Sequence, residues 1–199
     1  MNLPNKITIA RILLIPVMII IPFLGLNEIV FGDVTKGNLI VLIIFLVASF
    51  TDFLDGYLAR KNNLVTTFGK FLDPIADKLL VLSALIMLVE QGIIPAWIPI
   101  IIAAREFIVS GIRMLAAGEG NVIAASWLGK VKTVSQMVAI ALAFLSTNTF
   151  MQFIDGTLAG GALVLNILMS AGMLISVITT IYSGVDYFIK SKDVVLKSK

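Results

Sequence analysis

LIVLIIFLVASFTDFLDGYLAR (residues 39–60) runs from an unbroken apolar segment straight into two carboxylates, Asp52 and Asp55. An ionised side chain in the middle of a bilayer costs roughly 2.5–3.5 kcal/mol on insertion scales. The apolar part alone, 39–50, is too short to cross a hydrocarbon core, which needs about 20 residues. It reaches that length only if one helix continues through 51–59. The same holds for LLVLSALIMLV (79–89), which needs 71–78 in front of it, and that extension carries Asp73 and Asp77. Both helices therefore carry their carboxylates at, or just inside, one membrane face.

The rest of the chain supports a membrane fold. Of 199 residues, 59% are hydrophobic and 14% charged, where a soluble domain carries about 25% charged residues. Alternation at period two is absent, which argues against a membrane β-barrel. The expected fold is an all-α integral membrane protein, one domain over 1–199. Six transmembrane helices are expected near 10–26, 38–60, 71–91, 95–117, 124–147 and 158–187. The start, LPNKITIA, has Pro4 near a helix start and mixes Leu3, Ile7 and Ile9 with Asn5, Lys6 and Thr8. It reads as a short N-terminal interfacial helix leading into the first span. No small-residue cleavage site follows cleanly, so this segment is expected to be retained.

Absent residue types narrow the chemistry. With no Cys there are no disulfides, thiolate metal sites or Cys nucleophiles. With no His there is no imidazole base, His metal site or phospho-His intermediate. A metal here has oxygen ligands, which favours Mg²⁺, Mn²⁺ or Ca²⁺. A general base is Asp, Glu, Lys or Tyr.

The charges orient the bundle. Lys6, Arg11, Arg60, Lys61, Lys70, Lys78, Arg113, Lys130, Lys132, Lys190, Lys192, Lys197 and Lys199 fall on one side of the six-span plan, with Lys36, Glu28, Asp33, Glu90 and Asp155 on the other. The positive-inside rule places both termini and the carboxylates at the cytoplasm. Arg105 lies deeper, beside Glu106, either as a neutralised structural pair or as part of a substrate site.

Asp52 and Asp55 stand at i, i+3 and Asp73 and Asp77 at i, i+4, so each pair shares a helix face. The short connection KNNLVTTFGK makes the two helices antiparallel neighbours with both pairs at the same end. Four carboxylates so close repel one another unless some are protonated or a cation sits among them. One or two divalent ions suit the oxygen ligands. Capping accounts for Asp73 but not for Asp52 and Asp55, which sit near a helix C-terminus where the dipole disfavours anions. Gly56, Ala59 and Gly69 permit close approach, and Arg60, Thr66, Lys70 and Lys78 supply donors suited to phosphate oxygens.

Together these residues read Asp52-x-x-Asp55-Gly56-x-x-Ala59-Arg60, eight residues, then Gly69-x-x-x-Asp73-x-x-x-Asp77. The pattern resembles the signature of the CDP-alcohol phosphotransferase family with no departure. NLPNKITIAR, AREF (104–107) and LGKVKT (128–133) are similar to bacterial members that move a phosphatidyl group from CDP-diacylglycerol to sn-glycerol 3-phosphate and release CMP. The resemblance implies that Asp52, Asp55, Asp73 and Asp77 bind Mg²⁺ or Mn²⁺ and that Asp77 is the base. It implies nucleotide contacts from Asp52, Gly56, Ala59, Arg60, Thr66 and Gly69, with Asn5 and Thr8 reaching the cytosine. Arg105, Arg113, Lys130 and Lys132 are the candidates for the acceptor phosphate. The family further implies a homodimer in the bacterial cytoplasmic membrane. Within it, phosphatidylglycerol, an inositol phosphate or serine remain open as acceptors. A cation transporter is the alternative from another class, although its carboxylates are expected spread through membrane depth.

Overall fold

A computed structural model describes residues 3–32, 34–61, 67–118 and 127–191; its description of side chains excludes 3–4, 52–61, 67–68, 70–71, 117–118 and 128. The chain is mostly helical: α1 (Leu3–Ile20), α2 (Lys36–Lys61), α3 (Thr67–Glu90), α4 (Trp97–Gly118), α5 (Trp127–Phe144) and α6 (Gly160–Lys190). These lie close to the six expected segments. One expectation changes: the amphipathic start is not a separate helix. Leu3 onward is the beginning of α1, which runs unbroken to Ile20 and then tightens into a 3-10 turn, Ile21–Leu24. The physical reason is local, since Pro4 is tolerated in a first turn and Pro16, inside the helix, removes one hydrogen bond without ending it.

Contacts divide the chain into two compact units, Met1–Ile93 with Ala141–Thr149, and Ile94–Ile140 with Phe150–Lys199. In the first, α1 packs on α2 and α3, and α2 packs on α3. Met18, Phe45, Leu80, Leu85, Leu88 and Phe144 are fully buried, and the rings of Phe45 and Phe144 meet with centroids 6.5 Å apart. Arg11, 1% exposed, donates from Nε to the Ala48 carbonyl at 3.1 Å, joining α1 to α2. A small antiparallel hairpin, β1 (Ile29–Phe31) and β2 (Val34–Thr35), precedes α2. No periodicity could announce strands this short.

The second unit holds α4, most of α5 and α6. α4 packs along α6. Gly172 brings α6 against α5 so closely that an added Cβ would sit 3.0 Å from the Ala139 Cβ. Ahead of α6, Met151 takes a left-handed backbone (φ 61), which costs an ordinary residue roughly 1–2 kcal/mol. Two buried side chains of α6 hold this segment: the Met151 N–H donates to Ser170 Oγ at 2.9 Å and the Phe153 N–H to Asn166 Oδ1 at 3.0 Å.

The polarity of these helices is inverted relative to a water-soluble bundle. The buried face of α6 includes Asn166, Ser170, Ser176, Thr180, Ser183 and Tyr187, while Val164, Leu168, Ile175, Ile178, Ile181, Val185 and Phe188 are exposed. On α1, Asn5, Thr8 and Arg11 are buried while Leu13, Val17 and Ile20 are exposed. Apolar surface on this scale suits hydrocarbon, where polar groups must find partners inside the protein. Among the described residues, two helical stretches are long and apolar enough to cross a membrane, Asn5–Leu24 and Gly160–Lys190, and Lys36–Thr51 is a shorter apolar one. The protein is a helical membrane protein.

Candidate functional site

Two groups of polar residues stand out, one in each unit. In the first unit, Asp73 and Asp77 lie one turn apart on α3, both half-buried, with Ala76 and Leu80 buried beside them. Pro74, which follows Asp73, has no N–H to give the carbonyl of residue 70, so the ladder of α3 loses one bond just before this pair. Thr8 of α1, 1% exposed, donates from Oγ1 to Asp73 Oδ1 at 2.7 Å. Asn5, 6% exposed, lies one turn earlier on α1, and Gly69 is buried at the start of α3. The structure thus joins Thr8, expected at the nucleotide base, to a carboxylate expected to hold metal. That bond fixes the orientation of Asp73. It was not foreseen, since 65 residues separate the partners.

Asp52, Asp55, Gly56, Ala59 and Arg60 fall in the last turns of α2, but their side chains lie outside the described residues, as does Thr66 altogether. The donor set of the four Asp is all oxygen, which fits Mg²⁺ or Mn²⁺ and suits no soft metal.

In the second unit, an ion network links three helices. Glu106 Oε1 on α4 accepts from Lys132 Nζ on α5 at 2.8 Å and from Arg105 Nη1 at 2.9 Å. Arg105 Nη2 also donates to Ser183 Oγ on α6, and its stem passes 3.2 Å from where a Cβ on Gly184 would lie. Lys132 is 5% exposed. Two cations against one carboxylate leave the network a net positive charge. Arg113, farther along α4, donates from Nε to the Tyr187 hydroxyl at 2.9 Å, with its guanidinium carbon 5.2 Å from the centre of that ring. Tyr187 is 2% exposed.

Of the four expected acceptor cations, Arg105 and Lys132 come together around Glu106. Arg113 is held separately by Tyr187, and Lys130 is exposed and takes no part in the network. The pairing of Arg105 with Glu106 therefore extends to a third charge. Ser183 and Tyr187 were missed by sequence reasoning. Their signal was the recurrence of polar residues every three or four positions through the apolar run SVITTIYSGVDY (176–187).

Charge-assisted hydrogen bonds of this length are about twice as strong as neutral ones, but removing one partner of a buried pair strands the other charge. Glu106→Ala is expected to lower stability in detergent by roughly 3–5 kcal/mol. Pairing it with Lys132→Ala should cost clearly less than the sum of the two single changes. Additive losses of thermal stability would show that the two side chains are not coupled.

Comparison with known proteins agrees with the signature. A family model described as CDP-alcohol phosphatidyltransferase matches residues 1–182. A Bacillus subtilis (strain 168) protein named CDP-diacylglycerol--glycerol-3-phosphate 3-phosphatidyltransferase is 47% identical, over 96% of this chain and 95% of its own. Proteins of the same name from Rickettsia felis and Haemophilus influenzae are 40% and 38% identical, over 94% of this chain and 93% and 91% of theirs. With the eight signature positions intact and the match running almost end to end, the chain belongs to the CDP-alcohol phosphatidyltransferase family.

Proposed function

We propose that this protein is a membrane enzyme that transfers the phosphatidyl group of CDP-diacylglycerol to sn-glycerol 3-phosphate, giving phosphatidylglycerophosphate and CMP. The observation that carries the reading is the full-length similarity to relatives bearing that activity in their name, with every signature residue present. The inverted polarity of α1 and α6 supports a bundle in which all six helices span the bacterial cytoplasmic membrane. The distribution of Lys and Arg supports cytoplasmic termini. The family resemblance supports a homodimer.

The roles follow from residue chemistry. Asp52, Asp55, Asp73 and Asp77 hold Mg²⁺ or Mn²⁺, which when bound neutralises the pyrophosphate and stabilises the CMP leaving group. Thr8 keeps Asp73 in a single orientation through its hydroxyl. Asp77 takes the proton from the 1-hydroxyl of glycerol 3-phosphate. The resulting oxygen forms a new bond to the phosphorus that bears the diacylglycerol, and the bond from that phosphorus to CMP breaks in line. Asn5, Gly56, Ala59, Arg60, Thr66 and Gly69 hold the nucleotide. In the second unit, Arg105, Arg113, Lys130 and Lys132 bind the acceptor phosphate. Glu106 and Tyr187 hold three of these cations in place.

The test is CMP release by the detergent-purified protein with CDP-diacylglycerol and Mg²⁺ or Mn²⁺, against glycerol 3-phosphate, serine, inositol 1-phosphate and phosphatidylglycerol. Release with glycerol 3-phosphate alone is expected, and Asp77→Asn is expected to abolish turnover while still binding CDP-diacylglycerol. Release with another acceptor keeps the chemistry and changes the substrate. No release with any acceptor from folded protein favours a cation transporter.

A hydrogen bond that orients a metal-ligating carboxylate is commonly worth about 10–100-fold in metal affinity or activity. Thr8→Val is therefore expected to reduce activity by about tenfold at low Mg²⁺, with substantial recovery at high Mg²⁺, and Thr8→Ser is expected to behave like the wild type. A loss in Thr8→Val that is indifferent to Mg²⁺ would point instead to a nucleotide contact.

A further inference from the structure

The second unit contains buried polar atoms that the ion network does not use. Gln136 is 1% exposed, and its Nε2 has no hydrogen-bond partner among the described residues. The same is true of the hydroxyls of Ser176 and Thr180, both fully buried, and of Arg105 Nε. The Gln136 amide nitrogen and the Arg105 guanidinium nitrogen can only donate. Buried polar groups almost always have partners, and these four atoms lie on three helices that already share one polar network.

Their placement is bounded at both ends. At one level Glu106 meets Lys132 and Arg105 meets Ser183. At another, Ala139 lies against Gly172. Between these levels α5 advances from 132 to 139 while α6 runs back from 183 to 172, so the two helices are antiparallel here. Gln136, Thr180 and Ser176 fall between them. Gln136 is one turn from Lys132 on the buried face of α5, and Thr180 is one turn from Ser183 on the buried face of α6. The result is a short seam lined with hydrogen-bonding groups. A net positive ion network lies at one end, and a helix contact too close to admit a ligand lies at the other.

Resting on the reading of glycerol 3-phosphate as acceptor, we infer that this seam recognises the glycerol part of that substrate. Gln136 Nε2 donates to the C2 hydroxyl oxygen and Thr180 Oγ1 accepts its proton, while Arg105 Nε is left for a phosphate oxygen. A secondary hydroxyl both donates and accepts, so it satisfies one donor-only and one accepting group at once. A site built around a substrate hydroxyl discriminates against an analogue lacking it, because the buried groups are then left unpaired.

The test compares glycerol 3-phosphate with 3-hydroxypropyl phosphate, which keeps the phosphate and a primary hydroxyl but lacks the C2 hydroxyl. The readout is kcat/KM for CMP release by the full chain in detergent. The wild type is expected to prefer glycerol 3-phosphate by about tenfold or more. Gln136→Leu and Thr180→Val are each expected to reduce that preference to within about threefold, with the KM for CDP-diacylglycerol unchanged. Should Gln136→Leu fail to fold, Thr180→Val preserves the side-chain shape and gives the same ratio. Variants that slow both acceptors equally and keep the wild-type preference would overturn the inference, leaving the seam to a structural water. A wild type indifferent to the C2 hydroxyl would also overturn it. Wild-type release with phosphatidylglycerol but with neither phosphate acceptor would instead overturn the underlying reading of the substrate.

Discussion

An ionised carboxylate inside an apolar helical bundle has to be balanced where it stands, because no solvent is at hand to do it. The second unit meets this requirement with its own cations. Glu106 draws Lys132 and Arg105 onto one oxygen, and Arg105 passes on to Ser183, so one charge balance ties α4, α5 and α6 together. The first unit places Asp73 and Asp77 on one face of α3 and meets Asp73 with a neutral hydroxyl from Thr8. A hydroxyl orients a carboxylate without cancelling its charge. In the proposed enzyme that part falls to a divalent ion shared with Asp52 and Asp55, which gives a physical reason for four carboxylates in so apolar a chain.

The same constraint explains the inverted helices. Polar side chains on α1 and α6 are turned inward, where several hold partners: Arg11 on the Ala48 carbonyl, Ser170 and Asn166 on the Met151 and Phe153 amides, Thr8 on Asp73. The outward faces are apolar. In water this would be an aggregation hazard; in hydrocarbon it is the stable arrangement. An enzyme built this way suits a substrate pair of which one member carries acyl chains and the other is water-soluble.

Much of this was legible in the sequence, and the reasons differ by feature. The helices could be read because their apolar runs had to be extended to reach spanning length, which put Asp52, Asp55, Asp73 and Asp77 on helices rather than loops. The acidic signature could be read because its spacing is local. The N-terminal segment was harder, since an amphipathic start and a spanning stretch share one continuous helix in α1. The β1–β2 hairpin was too short for any pattern to show. Thr8 with Asp73 and Glu106 with Lys132 could not be read at all, because each joins residues on different helices and depends on packing. Arg105 with Glu106 was visible as neighbours, yet only the arrival of Lys132 and Ser183 makes the pair a junction of three helices.

In the proposed enzyme the α2 and α3 carboxylates form one divalent-ion site. The most direct measurement is a Mn²⁺ titration of the detergent-purified protein followed by electron paramagnetic resonance. Saturable binding of one or two ions is expected in the wild type, lost in Asp73→Asn and unaffected by Lys132→Ala. Saturable binding that survives Asp73→Asn with unchanged affinity would contradict that assignment.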